Sequence, residues 1–87
     1  MRIFILENCP HCQKARRYIK ELCEENEEYK KIDIDFIDEV KDSEFAERFD
    51  YYYVPSFFDG DVKLHEGIIQ KEEVKEIFER YLKEKNK

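Results

Sequence analysis

Apolar residues recur along this 87-residue chain with two different periods, and the changes of period mark the predicted strands and helices. Residues 2–6, "RIFIL", are rich in β-branched and aromatic side chains and predict the first strand. The next apolar residues follow the spacing of one helical face: Ala15, Tyr18, Ile19 and Leu22. They predict a first helix from about Pro10 to Glu25, because proline at the first helical position loses no hydrogen bond.

The middle of the chain returns to strand-like alternation. Ile32, Ile34 and Phe36 alternate with charged residues, which predicts a second strand with one buried face. A shorter second helix is predicted from the spacing of Phe45, Ala46 and Phe49. The polar stretch "EENEE" between the first helix and the second strand indicates where that helix ends.

The last third of the chain predicts a hairpin and a closing helix. "YYYVPSFF" leads into a third strand, and "DVKLH" forms a fourth. Asp59-Gly60 between them is a strong hairpin signal. The third helix is predicted from one apolar stripe: Val74, Ile77, Phe78, Tyr81 and Leu82.

The resulting order β-α-β-α-β-β-α predicts an α/β fold. The first β-α-β unit predicts a right-handed parallel crossover, and the last two strands predict an antiparallel hairpin. We therefore expect a four-stranded mixed sheet with helices on both faces. No linker or internal repeat is visible, so residues 1–87 are expected to form a single domain.

Charge limits the classes of partner. Charged residues make up 44% of the chain, and its net charge of −6 would be repelled by phosphate backbones, so no nucleic-acid partner is expected. The first apolar run, "IFIL", is far too short for a signal-peptide core or a membrane span. We therefore expect a cytoplasmic, monomeric protein without a membrane partner.

The chemistry of the chain is concentrated in the stretch "NCPHCQKARR". Cys9 and Cys12 lie three residues apart, with Pro10 and His11 between them. The chain contains three cysteines, and this odd number argues against a closed disulfide framework. In a cytoplasmic chain with a βαβ pattern, Cys-x-x-Cys indicates redox chemistry first, with metal binding as the rival interpretation.

The predicted helix start gives the two cysteines different roles. Cys9 lies at the N-cap, where unpaired N–H groups and the helix dipole favour the thiolate, which is the attacking species in disulfide exchange. Cys12 lies one turn later and is expected to be more buried and less ionised. Cys9 is therefore the predicted nucleophile and Cys12 the resolving thiol. His11 and Pro10 are predicted to tune the pair, although His11 also fits an exposed turn residue without a role.

Cys9-Pro10-His11-Cys12, with Val54-Pro55 about forty residues later, resembles the glutaredoxins and the wider thioredoxin superfamily. The resemblance implies a thioredoxin fold and a thiol–disulfide oxidoreductase acting on disulfides of proteins or small molecules. It also implies a cis peptide bond at Pro55, with the Val54 backbone pairing with substrate. Tyr53 and Gly67 are further substrate-binding candidates at this site.

The source of electrons stays open at this point. We expect no bound cofactor, with either glutathione as co-substrate or a separate reductase as the electron donor. His11 replaces the tyrosine of many glutaredoxins, no basic residue shortly precedes Cys9, and Gly67 stands alone where they carry two glycines. These differences leave the electron donor unassigned, with a glutathione-independent, thioredoxin-like electron donor to one specific reductase partner as the alternative function. Two further alternatives are a metal-binding module and a redox-linked switch. A closed zinc site needs four ligands, which argues against the metal-binding module.

Overall fold

The computed structural model describes residues 1–85 and shows the predicted order of strands and α-helices. The elements are β1 (Arg2–Ile5), α1 (Pro10–Glu25), a 3₁₀ helix (Glu27–Lys31), β2 (Asp35–Asp38), α2 (Ser43–Ala46), β3 (Ser56–Asp59), β4 (Val62–Glu66) and α3 (Lys71–Lys85). Helix α1 has the predicted bounds. The 3₁₀ helix follows it directly and was not predicted. Its first turn is capped by Asn26, whose side chain accepts the Glu28 N–H at 3.0 Å.

The four strands form one mixed sheet in the order β2-β1-β3-β4. Strand β1 is parallel to β2 and antiparallel to β3, and β3 is antiparallel to β4, as predicted. Asp59 pairs with Val62, so Gly60 and Asp61 form the hairpin turn. Gly60 has a φ of 61°, which glycine adopts without the steric cost of a Cβ atom.

Helices cover both faces of this sheet, also as predicted. Helices α1 and α3 lie on one face and share a cluster of buried side chains. Its members are Ile3, Ile5, Cys12, Ala15, Ile19, Leu22, Tyr29, Ile32, Phe57, Ile69, Val74 and Phe78. The opposite face is aromatic: Phe4, Phe58 and Ala46 are buried there with Phe49 and Tyr51 packed against them. The two clusters fix the sheet between the helices.

The predicted position of the second strand was wrong. The ladder with β1 begins at the pair Arg2–Asp35, three residues after the start of the predicted alternation. Ile32 is buried before the strand begins, whereas Phe36 is 37% exposed. Phe36 is exposed in part because β2 is an edge strand, and the Arg16 guanidinium lies over its ring, 4.8 Å from the ring centroid.

Candidate active site

Cys9 occupies the N-cap of α1, as the sequence predicts. Its backbone is extended (φ −82°, ψ 119°), and Pro10 follows at the start of the helix. The Cys9 N–H donates to the Leu6 carbonyl at 3.2 Å, which holds the turn between β1 and the helix. The Cys9 side chain makes no capping hydrogen bond and is half-buried. A partly accessible thiol therefore stands at the positive end of a 16-residue helix.

Cys12 is the buried member of the pair. Its side chain is 1% exposed, and its Sγ accepts the Leu6 N–H at 3.5 Å. Burial raises the pKa of the Cys12 thiol to about 12, and a hydrogen bond with Cys9 and the negative charges of Cys9 and Glu39 act in the same direction. The Leu6 N–H opposes them. The Cys12 proton is therefore retained at neutral pH in the dithiol state.

Pro10 and His11, the predicted tuning residues, are both exposed. Pro10 has a clear structural role, because its fixed φ suits the first helical position. The His11 ring forms no hydrogen bond or ion pair with any residue of the range 1–85. Its influence on the cysteines stays a prediction.

The Val54–Pro55 segment lies at the same end of the sheet as the cysteines. Its peptide bond is cis, Pro55 is buried, and Val54 is half-buried on the cluster that contains Cys12. Phe4 pairs with Ser56, so the start of β3, directly after Pro55, lies beside the end of β1 that leads to Leu6. Since the Leu6 N–H contacts Cys12 Sγ, the strand end brings both parts of the predicted site together.

Gly67 and Tyr53, the other predicted substrate-binding residues, adjoin this segment. The Gly67 N–H donates to the Pro55 carbonyl at 2.9 Å, and Gly67 has a φ of 87°. Tyr53 is 70% exposed, and its carbonyl accepts the Ser56 hydroxyl. A Cβ built on Gly67 would lie 3.7 Å from the Tyr53 Cβ, so the two residues are immediate neighbours.

Glu66 is a site residue that sequence reasoning missed. Its Oε2 accepts the backbone N–H groups of Tyr52 and Tyr53 at 2.5 and 3.0 Å, and its Oε1 lies 2.7 Å from Lys63 Nζ. These donors lower the pKa of the Glu66 carboxyl to about 2, with the Lys63 hydrogen bond as the largest cause. Glu66 therefore anchors the chain that enters Val54–Pro55. Its backbone partners lie 13 and 14 residues away, so no local spacing signals them, whereas Lys63 is only three residues away.

Glu39 was missed as well. It directly follows β2, and its N–H donates to the Ile5 carbonyl at 3.0 Å. Its Oε2 accepts the Tyr51 hydroxyl at 2.8 Å. The Ile5 carbonyl belongs to the same peptide group as the Leu6 N–H that contacts Cys12. The Glu39 backbone is therefore linked to Cys12 through the Ile5–Leu6 peptide group at the end of β1, and the negative charge of its carboxylate acts on the Cys12 thiol.

Two further features of the described residues concern metal binding and membrane-spanning helices. Within residues 1–85, no group of three or more His, Cys, Asp or Glu side chains has the arrangement of a metal site. The three cysteines are free thiols, and Cys23 is half-buried on α1. None of the helices described is long and apolar enough to cross a membrane.

Comparisons of the chain with protein-family models, curated proteins and solved structures find no match.

Proposed function

We propose that this protein is a thiol–disulfide oxidoreductase of the glutaredoxin or thioredoxin type that works through Cys9 and Cys12. The observation that carries the proposal is the pairing of a partly accessible thiol at a helix N-cap with a buried thiol of raised pKa. The two thiols thereby differ in exposure, and the raised pKa of Cys12 keeps the proton on the buried one. The proposed fold is the thioredoxin fold, supported by the order of elements and by the cis peptide bond at Pro55.

Reduction of a substrate proceeds in two exchanges. The Cys9 thiolate attacks one substrate sulfur, a mixed disulfide forms, the substrate S–S bond breaks, and the second sulfur leaves and takes up a proton. Cys12 then loses its proton and attacks Cys9 Sγ, which forms the Cys9–Cys12 disulfide and releases the other substrate thiol. Two electrons pass from the dithiol to the substrate, and both protons end on the product thiols.

The raised pKa of Cys12 fits the order of these steps. While Cys9 is a thiolate, its charge and its hydrogen bond both hold the proton on Cys12. Formation of the mixed disulfide removes these two effects, because the Cys9 sulfur is then neutral and bonded. Burial and the charge of Glu39 remain. Cys12 is therefore easier to deprotonate at the step in which it has to attack.

Substrate is proposed to bind in an extended conformation against the Val54 backbone, bordered by Tyr53 and Gly67. The exposure of Tyr53 and its proximity to Gly67 support this placement. Substrates are disulfides of proteins or small molecules, and the proposed compartment is the reducing cytoplasm. The oxidised pair is returned to the dithiol by a thiol reductant, either glutathione or a dedicated reductase.

A disulfide reduction assay with three matched cysteine variants tests this function. The wild-type protein should catalyse reduction of insulin by dithiothreitol, and Cys9→Ser should abolish that activity. Cys12→Ser should retain the first exchange and accumulate a mixed disulfide that mass spectrometry detects on Cys9. Cys23→Ser is the control and should keep wild-type activity. Wild-type activity in the Cys9→Ser variant, or a mixed disulfide at Cys23, would contradict the assignment.

Two further measurements separate the alternatives. Glutathione-supported reduction of a small mixed disulfide identifies the glutathione-dependent version, whereas activity only with a protein disulfide and a reductase identifies the other. Metal analysis of the purified protein, with a thiol count, addresses the metal-binding alternative. Stoichiometric metal that is lost in Cys9→Ser would overturn the proposed function.

A further inference from the structure

A groove of about 390 Å³ opens beside Cys9. Cys9 and the three residues before it form one wall, and Asp38, Val40 and Lys41 at the end of β2 form the other. Strand β2 and strand β3 flank β1 on opposite sides, so this groove lies across β1 from Val54 and Pro55. It is therefore a second approach to Cys9, distinct from the segment already assigned to substrate.

The groove continues along the surface past Val40. This residue also lines a neighbouring depression, together with Glu39, Glu47 and Tyr52. Val40 and Tyr52 are 70% and 86% exposed, which is high for an aliphatic and an aromatic side chain. The path from Cys9 to Tyr52 thus offers apolar contacts along an acidic surface.

The excess of negative charge lies in the chain segment that contains one wall of the groove. Residues 33–50 contain eight of the 22 acidic residues but only two of the 16 basic ones, and the rest of the chain is balanced at 14 of each. These eight carboxylates form no ion pair within residues 1–85, although acidic residues elsewhere pair with Lys31, Lys63, Lys71 and Lys85. The whole net charge of −6 therefore comes from the segment that contains one wall of the groove.

The nearby basic residues offset this surface only in part, because residues 33–50 contain eight acidic residues against Lys41 and Arg48. Lys41 Nζ lies 3.3 Å from Glu7 Oε2, which balances its charge within the groove. The guanidinium of Arg16 stacks on Phe36, and that of Arg17 on Tyr18. None of the basic residues of α1 lines the groove. The surface beside the groove therefore keeps a net negative charge, which a positively charged ligand segment would complement.

We infer that the groove receives a basic polypeptide segment adjacent to the substrate disulfide, so that the preferred substrates are protein disulfides flanked by lysine or arginine. The inference rests on the proposed function, whose exchange steps and electron balance it leaves unchanged. Surface carboxylates outside the reacting atoms act mainly on the rate of encounter, and this effect weakens as salt screens it.

The test uses one disulfide-cyclised peptide in three versions, flanked by two lysines, two glutamines or two glutamates. Pre-reduced protein is mixed with each peptide, and the second-order rate constant of a single turnover is measured by stopped flow. The reduced protein supplies both electrons, so no other reductant is present. We expect the lysine peptide to react about 10-fold faster than the glutamate peptide at low ionic strength, with the preference lost near 1 M salt.

A matched pair of triple variants locates the effect. Asp42→Asn/Glu44→Gln/Glu47→Gln removes three exposed charges from the segment that continues from Lys41 to Glu47, which lines the neighbouring depression. The Asp42 side chain makes no capping hydrogen bond that its replacement would break. The control removes three exposed charges on α1 and α3: Glu24→Gln/Glu76→Gln/Glu84→Gln. In both variants the net charge of the protein becomes less negative by three units. We expect the preference for lysine to fall to about 2-fold in the first variant and to persist in the control.

Failure of this inference differs from failure of the proposed function. If the wild-type protein reduces none of the peptides, the proposed oxidoreductase function is wrong. Equal rates for all three peptides, or a preference for the glutamate peptide, overturn the basic-partner inference alone. The inference is also overturned if the two triple variants lose the preference for the lysine peptide equally. The net charge of the protein, rather than the groove, would then cause the preference.

Discussion

Glu66 Oε2 accepts the Tyr53 N–H at 3.0 Å, which ties the last residue of β4 to the chain entering the cis peptide bond at Pro55. The next residue, Gly67, donates its N–H to the Pro55 carbonyl. Two consecutive residues at the end of one strand therefore hold both sides of the Val54–Pro55 unit. The substrate edge in the proposed function is thus fixed by β4 as well as by the register of β3 with β1.

Glu66→Gln should make the protein less stable at neutral pH. The folded protein lowers the pKa of Glu66 from 4.5 to about 2, so its ionised form stabilises the fold above pH 4.5. This stabilisation is lost as pH falls through about 2. Urea unfolding from pH 2 to 7 should therefore show a wild-type advantage over Glu66→Gln that shrinks below pH 4.5. Glu76→Gln is the exposed control, and an advantage that stays constant with pH would contradict the role of the carboxylate.

The sequence could predict α1 and the cysteine pair because their signals are local. Pro10 and the apolar stripe that begins with Ala15 lie within one helix, so spacing alone places Cys9 at its start. The position of β2 could not be predicted in the same way. Alternation shows which residues share a face, but the ladder with β1 determines where hydrogen bonding begins, here at Asp35.

The polar network around the site could not be predicted for a related reason. The Tyr51 hydroxyl reaches the Glu39 carboxylate, and the N–H groups of Tyr52 and Tyr53 reach that of Glu66, only when the loop 51–53 folds back between the ends of β2 and β4. In the sequence, both are ordinary members of a chain with 22 acidic residues. The groove beside Cys9 also depends on contacts between distant parts of the chain. Residues 38–41 lie next to Cys9 because β2 lies beside β1 in the sheet.

Glu39→Gln should lower the pKa of Cys12. The negative charge of Glu39 is one cause of the raised value, although burial is the largest, so the pKa should remain above the ordinary 9.0. The pKa can be measured from the pH dependence of Cys12 alkylation in a Cys9→Ser/Cys23→Ser background, with and without Glu39→Gln. Glu47→Gln in the same background is the control. An unchanged or higher pKa in the Glu39 variant would contradict the electrostatic link.

Phe4→Ala should be among the most destabilising single substitutions in this protein. The Phe4 ring is fully buried, with ring centroids at 4.8 Å from Phe49, 4.9 Å from Tyr51 and 5.5 Å from Phe58. Removing such a ring leaves a cavity that typically costs about 3–5 kcal/mol. Chemical denaturation should show a loss of that size. Tyr52→Ala, at an 86% exposed ring, should stay within about 0.5 kcal/mol of wild type. Similar losses in the two variants would contradict the packing of the Phe4 ring in this aromatic cluster.

Gly67→Ala should destabilise the protein through the backbone rather than through a clash. The Cβ of the new residue would lie 3.7 Å from the Tyr53 Cβ, an ordinary contact, but Gly67 has a φ of 87° that L-residues rarely adopt. We expect a loss of about 1–2 kcal/mol in the free energy of unfolding, measured by urea denaturation. Gly60→Ala, at a φ of 61° with open space around it, should cost a similar amount. Asparagine tolerates the left-handed region near a φ of 60°. Gly60→Asn should therefore be more stable than Gly60→Ala by a larger margin than Gly67→Asn is over Gly67→Ala. Equal recovery at both positions would show that the φ of Gly67 does not set the cost there.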